Sequence, residues 1–109
     1  MKLFELVIME PARLFLASLE PNVRAKVIYT MEHAQYAMDA NRFKKLTREL
    51  WEFRTLYARK HIRILAFWDQ KTRRQRLVVA TNGCVKKQKK LDQAMMNQAN
   101  MLKMRYYEQ

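Results

Sequence analysis

The strongest constraint on this chain is a change of hydrophobic period at Leu50. Trp51, Phe53, Thr55 and Tyr57 alternate with Glu52, Arg54 and Leu56; Ile62, Ile64, Ala66 and Trp68 alternate with His61, Arg63, Leu65 and Phe67. A repeat of two sends successive side chains to opposite faces, so both runs predict half-buried β-strands, joined by a turn at Arg59-Lys60. A third apolar run, Leu77-Val78-Val79-Ala80, follows the polar link Asp69-Gln70-Lys71-Thr72-Arg73-Arg74 and completes an antiparallel meander. Register that follows hydrophobicity turns Trp51, Phe53, Tyr57, Ile62, Ile64 and Trp68 toward helices. It leaves Glu52, Arg54, Leu56, His61 and Arg63 on an open face.

The flanks supply the helices. Leu3 to Met9 reads as a first strand ending at Glu10-Pro11. Pro11, suited to a first helical turn, opens a short helix through Ala12, Phe15, Leu16 and Leu19. Glu20-Pro21 repeats that punctuation, and Val23, Val27, Met31, Ala34 and Met38 mark a longer helix to about Asn41, which predicts a helical hairpin. After Asn82-Gly83 and a lysine run, Leu91, Ala94, Met95, Ala99, Leu102 and Tyr106 mark a closing helix. The expected class is α+β in the order β-α-α-β-β-β-α: an antiparallel meander, two N-terminal helices on one face and a C-terminal helix, all in one domain over residues 1–109. Met95, Met96, Met101 and Met104 read as core filler in preference to a partner groove.

Charge is distributed unevenly. Of 22 basic and 10 acidic residues, residues 53–91 hold twelve basic and one acidic, Asp69, a net of +11. Such a segment reads as a solvated surface or as a contact face; its concentration puts nucleic acid or an acidic protein partner ahead, with a polyanion such as RNA or DNA the best fit to the face. The single Cys84 cannot form an internal bridge, and His33 and His61 are too far apart in sequence for zinc-ligand spacing, so neither a metal nor another cofactor is expected. Cys84 reads as a small buried residue. Apolar runs are far shorter than the ~20 residues of a membrane span. The N-terminal segment, interrupted by Glu5 and Glu10, reads as mature protein, and the expected compartment is the cytoplasm.

Four segments, Phe43-Lys44-Lys45-Leu46, Leu50-Trp51-Glu52-Phe53-Arg54, Ile62-Arg63-Ile64-Leu65 and Val85-Lys86-Lys87, together with Pro11-Ala12-Arg13-Leu14-Phe15-Leu16, occur in an order and spacing that resembles the HigB-like branch of the RelE/ParE toxin superfamily. The resemblance implies a small RelE-like toxin that enters the ribosomal A site, cleaves mRNA without a metal and is held inactive by a cognate antitoxin. That partner would be a helix-turn-helix, HigA-like protein, through which alone the toxin would meet DNA. The resemblance also implies basic positions at Arg54, Arg63 and Lys86 or Lys87.

Cleavage by the 2′-hydroxyl needs positioned cations, which these side chains supply, and a planar guanidinium at Arg63 suits a phosphate. An imidazole is a residue type suited to proton transfer, which makes His61 a catalytic candidate, against its reading as an exposed strand end. Lys44 and Lys45, with Arg48, would grip ribosomal RNA or form a solvated loop; Lys89 and Lys90 are further candidates for RNA contact. Relatives place a tyrosine or histidine near the final helix, whereas Gln88, Leu91-Asp92 and Gln93 stand there in this chain. Tyr107 reads as a packing residue rather than a base, and Trp51 and Trp68 as buried rather than base-stacking. Two other functions fit the same charge: a ParE-like inhibitor of gyrase and a non-enzymatic RNA-binding domain.

Overall fold

Tyr57 and Lys60 pair across a two-residue turn at Ala58 and Arg59, whose φ angles of 51° and 65° match the right-handed twist of the strands it joins. The turn lies one residue earlier than Arg59-Lys60. The computed structural model describes residues 1–71, 76–86 and 93–109. Among these the elements are β1 (Glu5–Ile8), α1 (Glu10–Ser18), α2 (Pro21–Ala34), β2 (Phe43–Lys45), β3 (Trp51–Tyr57), β4 (Lys60–Trp68), β5 (Leu77–Lys86) and α3 (Gln93–Glu108).

The α+β class holds, with one sheet of order β1-β5-β4-β3-β2. The meander β3-β4-β5 is antiparallel as expected, while β1 runs parallel to β5. The short edge strand β2 is an addition to the expected order; it pairs with β3 after a turn in which Thr47 Oγ1 accepts the amides of Glu49 and Leu50.

Both faces of the sheet are covered. Phe53, Ile62, Ile64, Ala66, Val78 and Ala80 pack with Ala12, Leu16, Val27, Met31 and Ala34 of the first two helices. Those helices do not form a tight hairpin: α1 lies on β5 and α2 on β3. They are tied by Arg24, whose guanidinium donates to the carbonyls of Leu16, Ala17 and Leu19 at 2.8–3.0 Å, satisfying groups that the end of α1 leaves open. α2 stops at Ala34 rather than Asn41. The Gln35 side chain is drawn to the Phe4 carbonyl and its own carbonyl accepts the Leu3 amide, so the chain turns to meet the N-terminal segment and Met38 is exposed.

On the opposite face α3 packs Ala99, Met95 and Met96 on Leu50, Leu65 and Cys84. Met101 and Met104 face outward, so the core reading holds for two of the four methionines. Trp51 and Trp68 are half-buried in an aromatic cluster with Phe4 and Phe43, in agreement with burial over stacking. Among the described residues no helix is long and apolar enough to cross a membrane.

The far end of α3 is fixed to the end of β4. Tyr106 donates to Asp69 Oδ2 at 3.1 Å, the Gln70 amide donates to the Tyr107 hydroxyl at 2.8 Å, and both rings lie against Phe67. Tyr107 is thus a packing residue. Burial, and then the hydrogen bond to Asp69, hold the Tyr106 hydroxyl above the usual tyrosine value of 10.0. A group whose folded pKa is raised contributes stability that is complete below its unfolded value and lost as pH rises through the folded one. Urea titrations should therefore show stability falling above about pH 10, and Tyr106→Phe should flatten that fall.

Asn82-Gly83 lies within β5, which runs past the expected Leu77–Ala80 stretch to Lys86. A Cβ on Gly83 would come within 2.7 Å of Ile64 Cδ1 and closer still to the Phe15 ring, so the glycine is required by the approach of α1. Gly83→Ala should destabilise the protein by about 1–3 kcal/mol through overpacking, measured as a lower urea midpoint with unchanged slope.

Candidate functional site

The basic face is assembled by a β-bulge. Between the pairs Ile64↔Gly83 and Ala66↔Ala80, Leu65 on β4 faces two residues, Thr81 and Asn82, on β5. Val78 and Ala80 lie on the α1/α2 face; strict alternation would put Cys84 and Lys86 there too. The extra residue reverses the parity, so that Cys84 pairs with Arg63 and Lys86 with His61. Cys84 accordingly packs with Leu65 beneath α3. The bulge is held by polar contacts: Thr81 Oγ1 donates to the Leu65 carbonyl at 3.1 Å, and the Asn82 amide reaches Met95 O at 3.3 Å and Gln98 Oε1 at 3.1 Å.

Arg54 and Arg63 are direct partners in the β3–β4 ladder, and the neighbouring row holds Leu56, His61 and Lys86. Four of the expected site residues, Arg54, Arg63, His61 and Lys86, therefore share one face in two adjacent rows. Lys44 pairs with Glu52 and joins that face, whereas Lys45 pairs with Trp51 and points away. The two lysines are strand residues on opposite faces, not a joint grip in a loop. Lys87, Lys89 and Lys90 lie outside the described residues, as do Gln88, Leu91 and Asp92.

The centre of the face is a residue to which the sequence reading gave a place but no role. Glu52 is 1 % exposed, and its Oε1 accepts a hydrogen bond from Arg63 Nη1 and lies 3.6 Å from Arg54 Nε. Arg63 is itself only 4 % exposed, so it is not the open phosphate fork expected of it. Its charge is engaged from below by a carboxylate, which fixes the guanidinium plane. Arg54 is the more accessible of the two, with 29 % of its side chain open. One carboxylate offsets only one of two guanidiniums, so the cluster retains positive charge toward an anion above it.

Glu52 Oε2 is buried and accepts no hydrogen bond from any described residue. A buried acceptor without a partner is costly. The signal in the sequence was an acidic residue at an alternating position beside the most basic third of the chain.

The arrangement can hold an anion by charge and can offer His61 for proton transfer at its rim. A family model described as "Phage derived protein Gp49-like (DUF891)" matches residues 14–103. No curated protein and no solved structure gives a match.

Breaking a buried ion pair by removing one partner typically costs about 3–5 kcal/mol, because the other charge remains buried. Glu52→Leu should show a loss of that size in urea unfolding, and Glu52→Leu combined with Arg63→Met should regain most of it. A loss from Glu52→Leu within the range of an exposed pair, about 0–1 kcal/mol, would show that the pair is not sealed from water.

Proposed function

The chain belongs to the Gp49-like family of phage-derived proteins, a toxin–antitoxin-related group, and from that premise we propose that it is a metal-independent, ribosome-dependent mRNA endonuclease of the RelE and HigB kind. The observation that carries this reading is the direct pairing of Arg54 and Arg63 above a buried Glu52, with His61 and Lys86 in the next row. Cations from three strands on one face match the needs of a phosphodiester.

In the proposed reaction the ribose 2′-oxygen attacks the adjacent phosphorus, the bond to the 5′-oxygen breaks, and the products are a 2′,3′-cyclic phosphate and a 5′-hydroxyl. The proton leaving the 2′-hydroxyl goes to His61, and the departing 5′-oxygen takes its proton from the Lys86 ammonium. Arg54 is the accessible guanidinium and contacts the phosphate oxygens; Lys86 neutralises charge developing on the leaving side. Glu52 is sealed beneath Arg63 and acts as a positioning residue. It holds the two guanidiniums in place before substrate arrives, so little of their ordering is left to the reaction.

The partner in this proposal is a cognate antitoxin of helix-turn-helix type that covers the basic face. A cover that presents carboxylates to Arg54 and Lys86 would compete directly with RNA.

The burial of Arg63 determines how the activity is best tested. Arg63→Ala would remove a buried charge partner and lower stability together with activity. Arg54→Gln and Lys86→Gln avoid the buried pair and are the informative variants. With translating ribosomes and mapped mRNA ends, the wild type should cut, and each variant should cut about 10²–10³-fold more slowly, the usual effect of losing one charge-stabilising donor. Uncut mRNA with the wild type, or full cleavage by Arg54→Gln, would refute the assignment.

A further inference from the structure

A groove of about 760 Å³ lies between α2 and the β3–β4 hairpin, lined by Asn22, Lys26, Tyr29, Arg42, Leu56 and Tyr57 among others. No carboxylate is among the residues that line it. Asp39 is 3.8 Å from Arg42 Nε and offsets that charge only in part. Tyr29 is 52 % exposed; its ring centroid lies 6.0 Å from that of His33, and Lys26 Nζ and Arg42 Cζ stand over it at 5.7 and 5.5 Å. A half-exposed tyrosine with two cations at its ring offers what one nucleotide needs, an aromatic surface for the base and charge for its phosphate. The volume lies within the ordinary range for small-molecule sites, about 300–1,000 Å³.

Its place relative to the basic face matters as much as its lining. Leu56 is 64 % exposed, lines the groove and is the ladder partner of His61, so one begins where the other ends. The Arg42 carbonyl accepts the Arg54 amide at 2.7 Å, which sets Arg42 one strand over from Arg54.

We infer that this groove is a second RNA contact, which holds a nucleotide flanking the segment that lies on the basic face. The inference rests on the reading of that face as an RNA site and extends it to a single strand longer than the scissile step. An acidic peptide would use the two cations but leave Tyr29 and Leu56 without a stacking partner, so RNA is the better fit.

The test uses the full chain and labelled single-stranded 2′-O-methyl oligoribonucleotides, which lack the nucleophile and stay intact. Two lengths are compared, one that spans the basic face and one about twice as long. The wild type should bind the longer strand more tightly. Tyr29→Leu should remove about tenfold of its affinity, the scale of one lost stack, while Tyr29→Phe retains it. Arg42→Gln should make the dependence of log K on log salt shallower by about 0.7, one phosphate contact on a single strand.

Wild-type affinity in Tyr29→Leu and Arg42→Gln, with weaker binding of both lengths by Arg54→Gln, would overturn the groove and leave the basic face standing. Failure of the wild type to bind either length would refute both. Poly-L-glutamate is the control: equal losses for it and for RNA in Tyr29→Leu would assign the groove to an acidic protein and overturn the inference.

Discussion

The extra residue at Thr81-Asn82 is the constraint on which the basic face depends. Side chains on a strand alternate strictly, and a shift of one residue transfers every later side chain to the opposite face. Before the bulge, β5 contributes Val78 and Ala80 to the core beneath α1 and α2; after it, the strand places Cys84 and Lys86 beside Arg63 and His61. Without the insertion Lys86 would lie on the α1/α2 side of the sheet, away from Arg63 and His61. The polar groups of the bulge are satisfied by Leu65 and by α3, so the same irregularity that re-aims the lysine also anchors the closing helix.

The buried pair of Glu52 and Arg63 beneath that face serves positioning better than stability. A carboxylate and a guanidinium taken out of water lose hydration that their attraction barely returns, and a well-packed apolar pair would serve the fold about as well. In exchange the guanidinium planes are fixed next to open solvent. Arg63 carries the ion pair to Glu52, and Arg54, only 3.6 Å from the same oxygen, remains partly accessible. One arginine is committed to the protein and the other is available to a ligand. The sequence pattern alone makes the two equivalent.

Much of this architecture was legible from side-chain periodicity. The β3–β4 alternation set which face each residue occupies, and that sufficed to bring Arg54 and Arg63 together. The failures have local physical causes. Phe43-Lys44-Lys45 is too short to show a period, and its strand character comes from pairing with Phe53, Glu52 and Trp51. The third apolar run ends at Ala80, yet β5 continues through Asn82-Gly83 to Lys86, with the Phe15 ring close over Gly83. Met38 continued the α2 stripe, yet the hydrogen bond of Gln35 to Phe4 ends the helix. In each case a tertiary contact overrode the local preference. Glu52 had its face assigned by the pattern, but no pattern could show that two cations would close over it.

The same contacts explain why the exposed polar face is confined to one part of the sheet. β4 is buried on both sides along Leu65, Ala66 and Phe67, because α1 and α2 cover one surface while α3 covers the other. A strand covered on both sides reads as a continuous apolar run, and that is how Ile64 to Trp68 reads. Toward its start the strand emerges from beneath α3 and becomes Arg63, then His61. The boundary between the two regimes falls at Leu65, opposite the bulge, where Asn82 holds the first turns of the helix. The position of α3 and the extent of the basic face are therefore set by one locus, and a partner able to shift α3 along the sheet would change both together.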